Sequence, residues 1–216
     1  MVRPSLHQIL VLGTAAVVLA AMGAGYWYKE HPAEKIVSID IDGQPTEGSL
    51  DAKISMVVFE DFQCATCQKF NIDILPQVKA EFIDSGRMRC TLVPLAFIDG
   101  SEILANAALA VYAQSPERFF PFADELFRYL QSHPLDPIES TILILIADQV
   151  GGIDLTLLRR AIQDNRYAEI VRQNFFHAEK IMGRHFGTPA IFINGVRVPP
   201  MSFRTIQHQI QVSESK

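Results

Sequence analysis

Three observations predict a mixed α/β sheet with a helical subdomain inserted in mid-chain. Two apolar runs, Ile54 to Phe62 and Met88 to Leu95, flank a helical stretch and make a strand–helix–strand unit. From Ser101 to about Phe186 the apolar residues keep a helical period. Strand character then returns at Ala190 to Ile193 and Val196 to Val198, joined by Asn194-Gly195. Asn-Gly between apolar runs is the strongest short hairpin signal, because a type I′ turn needs positive φ at both central residues.

The N-terminus reads as an export signal. Arg3 is the early basic side chain, and Ile9 to Tyr28 runs without a charge, enough to cross a hydrocarbon core of about 30 Å. Tyr26-Trp27-Tyr28 at its far end resembles an interfacial aromatic belt, which favours a signal anchor. A cleaved signal peptide is the alternative, with Ile9 to Ala21 as the apolar region and small residues at 21, 23 and 25 flanking a cut. Either way the remainder is expected outside the cytoplasm, where disulfides persist.

Next, Val37, Ile39 and Ile41 alternate with Ser38, Asp40 and Asp42, which predicts a strand ended by Gly43; Gln44 to Lys53 reads as a polar loop. Ile54 to Phe62 is a candidate buried central strand, and Gln68 to Phe82 a helix interrupted near Pro76. In the helical stretch, Phe122, Leu126 and Tyr129 share a face, and Phe119-Phe120-Pro121-Phe122 is assigned to the subdomain core. Asp136-Pro137-Ile138-Glu139 resembles an N-cap, a first-turn proline and a capping-box acid. Gly151-Gly152 ends that helix and Asp154 caps the next; a long helix from about Arg166 is expected to turn Ile170, Val171, Ile181 and Met182 inward. Ser202 caps a last helix presenting Phe203, Ile206 and Ile210. The chain thus divides into a signal segment (1–30), the first part of an α/β domain (31–100), an inserted helical subdomain (101–186) and the close of the α/β domain (187–216).

The chemistry concentrates at Cys64-Ala65-Thr66-Cys67, at the junction of the central strand and its helix. Cysteines three apart on a first helical turn face the same side, and the unpaired N–H groups there stabilise a thiolate on the first. Cys64 is therefore the candidate nucleophile and Cys67 the resolving thiol; Ala65 and Thr66 are their neighbours. Cys90, in the second strand, is assigned to the core. A CxxC can also be half of a soft-metal site for copper or zinc, but that needs further ligands, and no second CxxC exists. His177 and His185 are read as solvated or core-edge residues, so no metal or other cofactor is expected. A formal net charge of −5 without a Lys/Arg-rich run argues against nucleic acid as a partner, and the chain is expected to be monomeric.

Phe59-Glu60-Asp61-Phe62-Gln63-Cys64-Ala65-Thr66-Cys67, the helical insertion, and Phe186-Gly187-Thr188-Pro189-Ala190-Ile191-Phe192-Ile193-Asn194-Gly195 together resemble DsbA-like members of the thioredoxin superfamily. The resemblance covers nearly all of the chain after about residue 36. It implies a thioredoxin fold with an inserted helical subdomain, and a protein thiol–disulfide oxidoreductase. It also implies a cis Pro189 beside the cysteine pair, with Thr188 offering backbone groups to an extended substrate. The implied partners are exported proteins bearing thiols or disulfides, and a membrane redox partner. That partner is a quinone-linked oxidase if the chain introduces disulfides, or an electron-donating reductase if it reduces or isomerises them. The sequence departs from the family at three places: Ala65 where proline is common, Thr66 where some relatives have histidine, and Val58 where a buried acid is common. Glu60 and Asp61 are displaced along the strand and are not assigned that acid's role, so slow handling of the Cys67 proton is expected.

Overall fold

The computed structural model describes residues 36–134, 137–198 and 202–215, together with 14, 18–23 and 26. The chain forms two compact units, Met1–Lys35 and Ile36–Lys216. In the first, the described residues are helical. Most of the expected membrane-spanning or signal segment, 9–28, lies outside the described residues. Among the described residues no helix is long and apolar enough to cross a membrane.

The second unit is built on a five-stranded sheet: β1 (Thr46–Gly48), β2 (Ile54–Asp61), β3 (Met88–Leu95), β4 (Ala190–Ile193) and β5 (Val196–Arg197), in the order β1-β3-β2-β4-β5. Strands β2 and β3 are parallel, paired from Ile54↔Met88 to Asp61↔Leu95, and the other pairings are antiparallel. β2 is central and apolar on both faces, as a parallel strand covered by helices must be. On one face Ile54, Met56 and Val58 pack on Phe70, Leu75, Val78 and Phe82, and on Ile206 and Ile210 of the last helix. On the other, Val57 and Phe59 pack with Ala178 and Met182. Hairpin β4–β5 turns at Asn194 and Gly195, with φ of 47° and 79° as a type I′ turn requires. A side chain at Gly195 would also strike the Val37 carbonyl, 2.3 Å from an added Cβ.

Helix α1 joins β2 to β3 through four consecutive segments: Ala65–Lys69, Phe70–Ile74, Leu75–Val78 and Lys79–Ile83. The second and fourth are π-helical. The interruption expected near Pro76 takes the form of the π-helical segment Phe70–Ile74, which ends just before the proline and the α-helical turn that contains it. Between β3 and β4 lie α2 (Ser101–Gln114), α3 (Phe119–Ser132), α4 (Ser140–Val150), α5 (Leu155–Gln163) and α6 (Ala168–Met182); α7 (Phe203–Glu214) closes the chain. Phe119, Phe120, Phe122, Leu126 and Phe127 fill a helical core that also takes in Phe62 and Cys67. Asp154 caps α5 by accepting from the Thr156 and Leu157 amides, and Ser202 caps α7 through Thr205.

Four expectations are corrected. Residues 37–41 do not form a strand: Ile36 makes a single bridge to Val196, and Val37, Ile39 and Ile41 pack on the sheet face beside Phe192. Their alternation records one buried side, not strand pairing. The edge strand is instead Thr46–Gly48, inside the segment read as a loop, and it is short and polar as edges commonly are. No side chain at Glu139 caps α4, which begins at Ser140; Asp136 lies outside the described residues. Ile170 is exposed, while Val171 and Met182 of the same helix are buried.

Candidate active site

The cysteine pair sits where β2 gives way to α1. Asp61, the last residue of β2, folds this junction. Its carboxylate accepts from the Gln63, Phe97 and Ile98 amides and from the Ser101 hydroxyl, and its carbonyl accepts from the Cys64 amide. Four donors on one fully buried carboxylate tie the approach to Cys64 to the loop ahead of α2.

Cys64 is the N-cap of α1, with extended backbone (φ −73°, ψ 114°), and Cys67 lies one turn in. Both are free, as is Cys90. Cys64 is half-buried, whereas Cys67 is wholly buried against the helical core. The Cys64 thiol is held down to about 4, chiefly by a hydrogen bond from the Cys67 thiol, with further help from Thr188, Thr66 and the Cys67 backbone amide. Burial pushes the Cys67 thiol far up, and the negative charges of Glu60 and Cys64 push it further. The pair is therefore strongly asymmetric: a thiolate at the helix start and a protonated thiol beneath it.

Thr188 and Pro189 arrive from the loop before β4, joined by a cis peptide bond. The Thr188 carbonyl is 3.5 Å from Cys64 Sγ and accepts from Thr66 Oγ1 at 3.0 Å; Thr66 Oγ1 is also 3.0 Å from Cys64 Sγ. The structure thus brings together Cys64, Thr66, Cys67 and Thr188, with Ala65 exposed on the same turn. Cys90 is buried in β3, opposite Met56 and Glu47. His177 and Phe59 form a T-shaped ring pair with centroids 6.3 Å apart, and His185 is exposed.

Glu60 carries no assigned role in the sequence, yet its carboxylate lies close enough to bear on the Cys67 thiol. Val58 is an apolar core residue, but Glu60 points from the same face of β2 two residues nearer the helix start. Glu60 is 1% exposed; burial raises its carboxyl to about 8 although Asn71 donates to both its oxygens at 2.9 Å. The alternation of β2 could have revealed this, since Val58 and Glu60 necessarily share a face. Asn71, seven residues beyond Cys64 on the inner side of α1, gave no such signal.

Residues 41–212 match the family model described as thioredoxin. The chain is similar to the probable disulfide bond formation protein D of Bacillus anthracis, 28% identical over 154 residues that cover 70% of each chain. It is equally similar to disulfide bond formation protein D of Bacillus subtilis, 28% identical over 155 residues, 71% of this chain and 69% of that one. Among solved structures, oxidised BdbD from Bacillus subtilis matches with a TM-score of 0.76 and 26% identity, covering 85% of this chain and 99% of the other. DsbA of Chlamydia trachomatis matches with a TM-score of 0.75 and 26% identity, covering 85% and 98%.

Proposed function

The chain belongs to the thioredoxin family and is a protein thiol–disulfide oxidoreductase, and we propose that it works as a dithiol oxidase for exported proteins. The observation that carries this direction is the asymmetry of the pair: Cys64 caps the helix start with the Thr66 hydroxyl 3.0 Å from its sulfur, while Cys67 is wholly buried, so the first thiol is held down to about 4 and the second up. In the oxidised protein a substrate thiolate attacks Cys64 Sγ. The Cys64–Cys67 bond breaks, a mixed disulfide forms, and Cys67 leaves as a thiolate that takes a proton. The substrate's second thiolate then attacks its own linked sulfur, closing the substrate disulfide and expelling Cys64. The protein gains two electrons and the substrate loses two. A sulfur whose thiolate is this stable leaves readily, and a stabilised reduced form makes the disulfide a strong oxidant.

Glu60 supplies and recovers the proton of Cys67 in this scheme. It is the buried acid whose charge bears on that thiol, and its raised value keeps a share of it protonated at neutral pH. The Thr188 backbone docks an extended segment of substrate beside Cys64. The charge-free run 9–28 supports export, and a membrane quinone-linked oxidase is the class of partner that would restore the disulfide.

The test is the equilibrium of Cys64–Cys67 with glutathione. An oxidase should have a potential above about −180 mV, whereas a value near thioredoxin's, about −270 mV, would assign the chain to disulfide reduction instead.

A further inference from the structure

We propose that Asn71 is a positioning residue for proton transfer at Cys67, its amide clamping the Glu60 carboxylate to the backbone directly beneath that cysteine. The inference rests on Glu60 being the group that exchanges a proton with Cys67. Asn71 Nδ2 donates to Glu60 Oε1, to Glu60 Oε2 and to the Cys67 carbonyl, each at 2.9 Å. An amide nitrogen has two hydrogens, so one is shared across the carboxylate and the other reaches Cys67. Both residues are buried, and no cation donates to Glu60 among the described residues. The titratable groups bearing on Glu60 are Cys64 and Cys67 of α1, Asp124 of α3 and Cys90 of β3. None of them offers a positive charge. Asn71 is therefore the described side chain that favours the carboxylate, against burial and against the negative charges of Cys64 and Asp124.

The position of Asn71 also explains how a proton held so deep can exchange. Asn71 forms part of the wall of a cavity of roughly 200 Å3 shared with Glu47, Lys79, Asp124 and Arg128. A polar cavity of that size accommodates water, so the amide separates the buried carboxylate from a wet, charged space. The clamp thus serves two ends: it keeps Glu60 able to ionise near neutral pH, and it fixes the acid below Cys67.

The test uses the full chain in its reduced form, mixed with glutathione disulfide. Cys64 attacks, and the Cys64–glutathione adduct is resolved when Cys67 loses its proton and displaces glutathione as a thiolate. Acid-quenched samples, with adduct counted by mass, give the resolution rate across pH. In the unaltered protein the rate should rise with an inflexion set by Glu60, somewhat below its value of about 8 in the reduced pair because the adduct removes the Cys64 charge. In Asn71→Leu the inflexion should move to higher pH by about one unit or more, with resolution at neutral pH slowed about tenfold, while Cys64 attack is unchanged. Asn71→Asp, of the same size, should move it the same way because a second carboxylate faces Glu60, and it serves if the leucine variant does not fold. A lowered unfolding midpoint with an unmoved inflexion in either variant would overturn the proposal and leave Asn71 a packing residue. Glu60→Gln separates the two levels. If it leaves the inflexion in place, Glu60 is not the proton group and the underlying reading fails; if it abolishes the inflexion while both Asn71 variants keep it, only the clamp fails.

Discussion

Thr66 Oγ1 lies 3.0 Å from Cys64 Sγ and also donates, at 3.0 Å, to the Thr188 carbonyl. Once Cys64 is a thiolate, one hydroxyl hydrogen faces two acceptors, and the thiolate is the stronger. Thr66→Val should therefore raise the Cys64 value, while Thr66→Ser should leave it nearly unchanged. A hydrogen bond to a charged group contributes about 1.5–3 kcal/mol, or about one to two pH units. Titrating the ultraviolet absorbance of the thiolate gives the answer. An unmoved curve in Thr66→Val would mean that the Cys67 thiol and amide, with Thr188, hold the charge without Thr66.

Cys67→Ser should accumulate mixed disulfides through Cys64, because the attacking sulfur remains and the buried partner that resolves it is gone. Cys90→Ala should exchange normally and lose about 1 kcal/mol of stability, as befits a buried sulfur in β3. Non-reducing gels followed by peptide mapping would locate the adducts. Adducts on Cys90 would assign the nucleophile wrongly.

The pH dependence of stability should differ between the redox forms. The folded-state value of Cys64 is depressed to about 4, so its thiolate stabilises the reduced fold fully above the unfolded thiol's value of about 8.5. That contribution is lost as pH falls through about 4, and the disulfide form has no such thiolate. Urea denaturation of both forms across this range should show the reduced form's advantage shrinking steadily toward acid pH. A constant difference would contradict the assignment of a stabilised thiolate to Cys64.

Asp61→Ala should be among the more damaging single changes near the site. It removes the acceptor of three part-buried backbone amides and leaves the Ser101 hydroxyl only the Ile98 carbonyl, at a cost on the order of 3 kcal/mol. Asp61→Asn retains one acceptor oxygen and should lose less. Thermal unfolding of the two variants measures this; equal losses would point to the charge rather than the number of acceptors.

The parts of this protein that were legible in the sequence are those written in local chemistry. Asn194-Gly195 specifies its turn, Asp154 and Ser202 specify their caps, and the apolar runs of β2 and β3 specify buried strands. Cys64 and Cys67 were legible for the same reason, since their spacing sets their geometry on a helix. What escaped depends on partners distant in sequence. Thr46–Gly48 is a strand only because β3 offers it an edge, and the alternation of 37–41 marks packing on Phe192 without pairing. Asp61 gathers donors from a loop some forty residues on, and Glu60 matters because α1 lies over it. A buried acid is identified by what covers it, and that is a tertiary fact.

Glu60 should weaken the fold at alkaline pH. Its folded value is raised to about 8 from the ordinary carboxyl range near 4.3, so the buried group is neutral where the unfolded chain is already ionised. The unfolded state then binds fewer protons than the folded one, and stability falls as pH rises between these values. The favourable part is complete below about 4.3 and gone above about 8. Glu60→Gln keeps the size and a polar end near Asn71 but cannot ionise. Its stability relative to the unaltered protein should therefore climb from about pH 4.5 to 8 and level off a few kcal/mol higher. Below pH 4 the two should be nearly equal, apart from the cost of exchanging an acid for an amide beside Asn71. Chemical denaturation of both proteins at matched pH, in the reduced form to which the value of about 8 belongs, gives the difference directly, since the titration of Cys64 is common to both. A flat difference across the range would mean that Glu60 ionises with an ordinary value in the fold, and that water reaches it despite its burial.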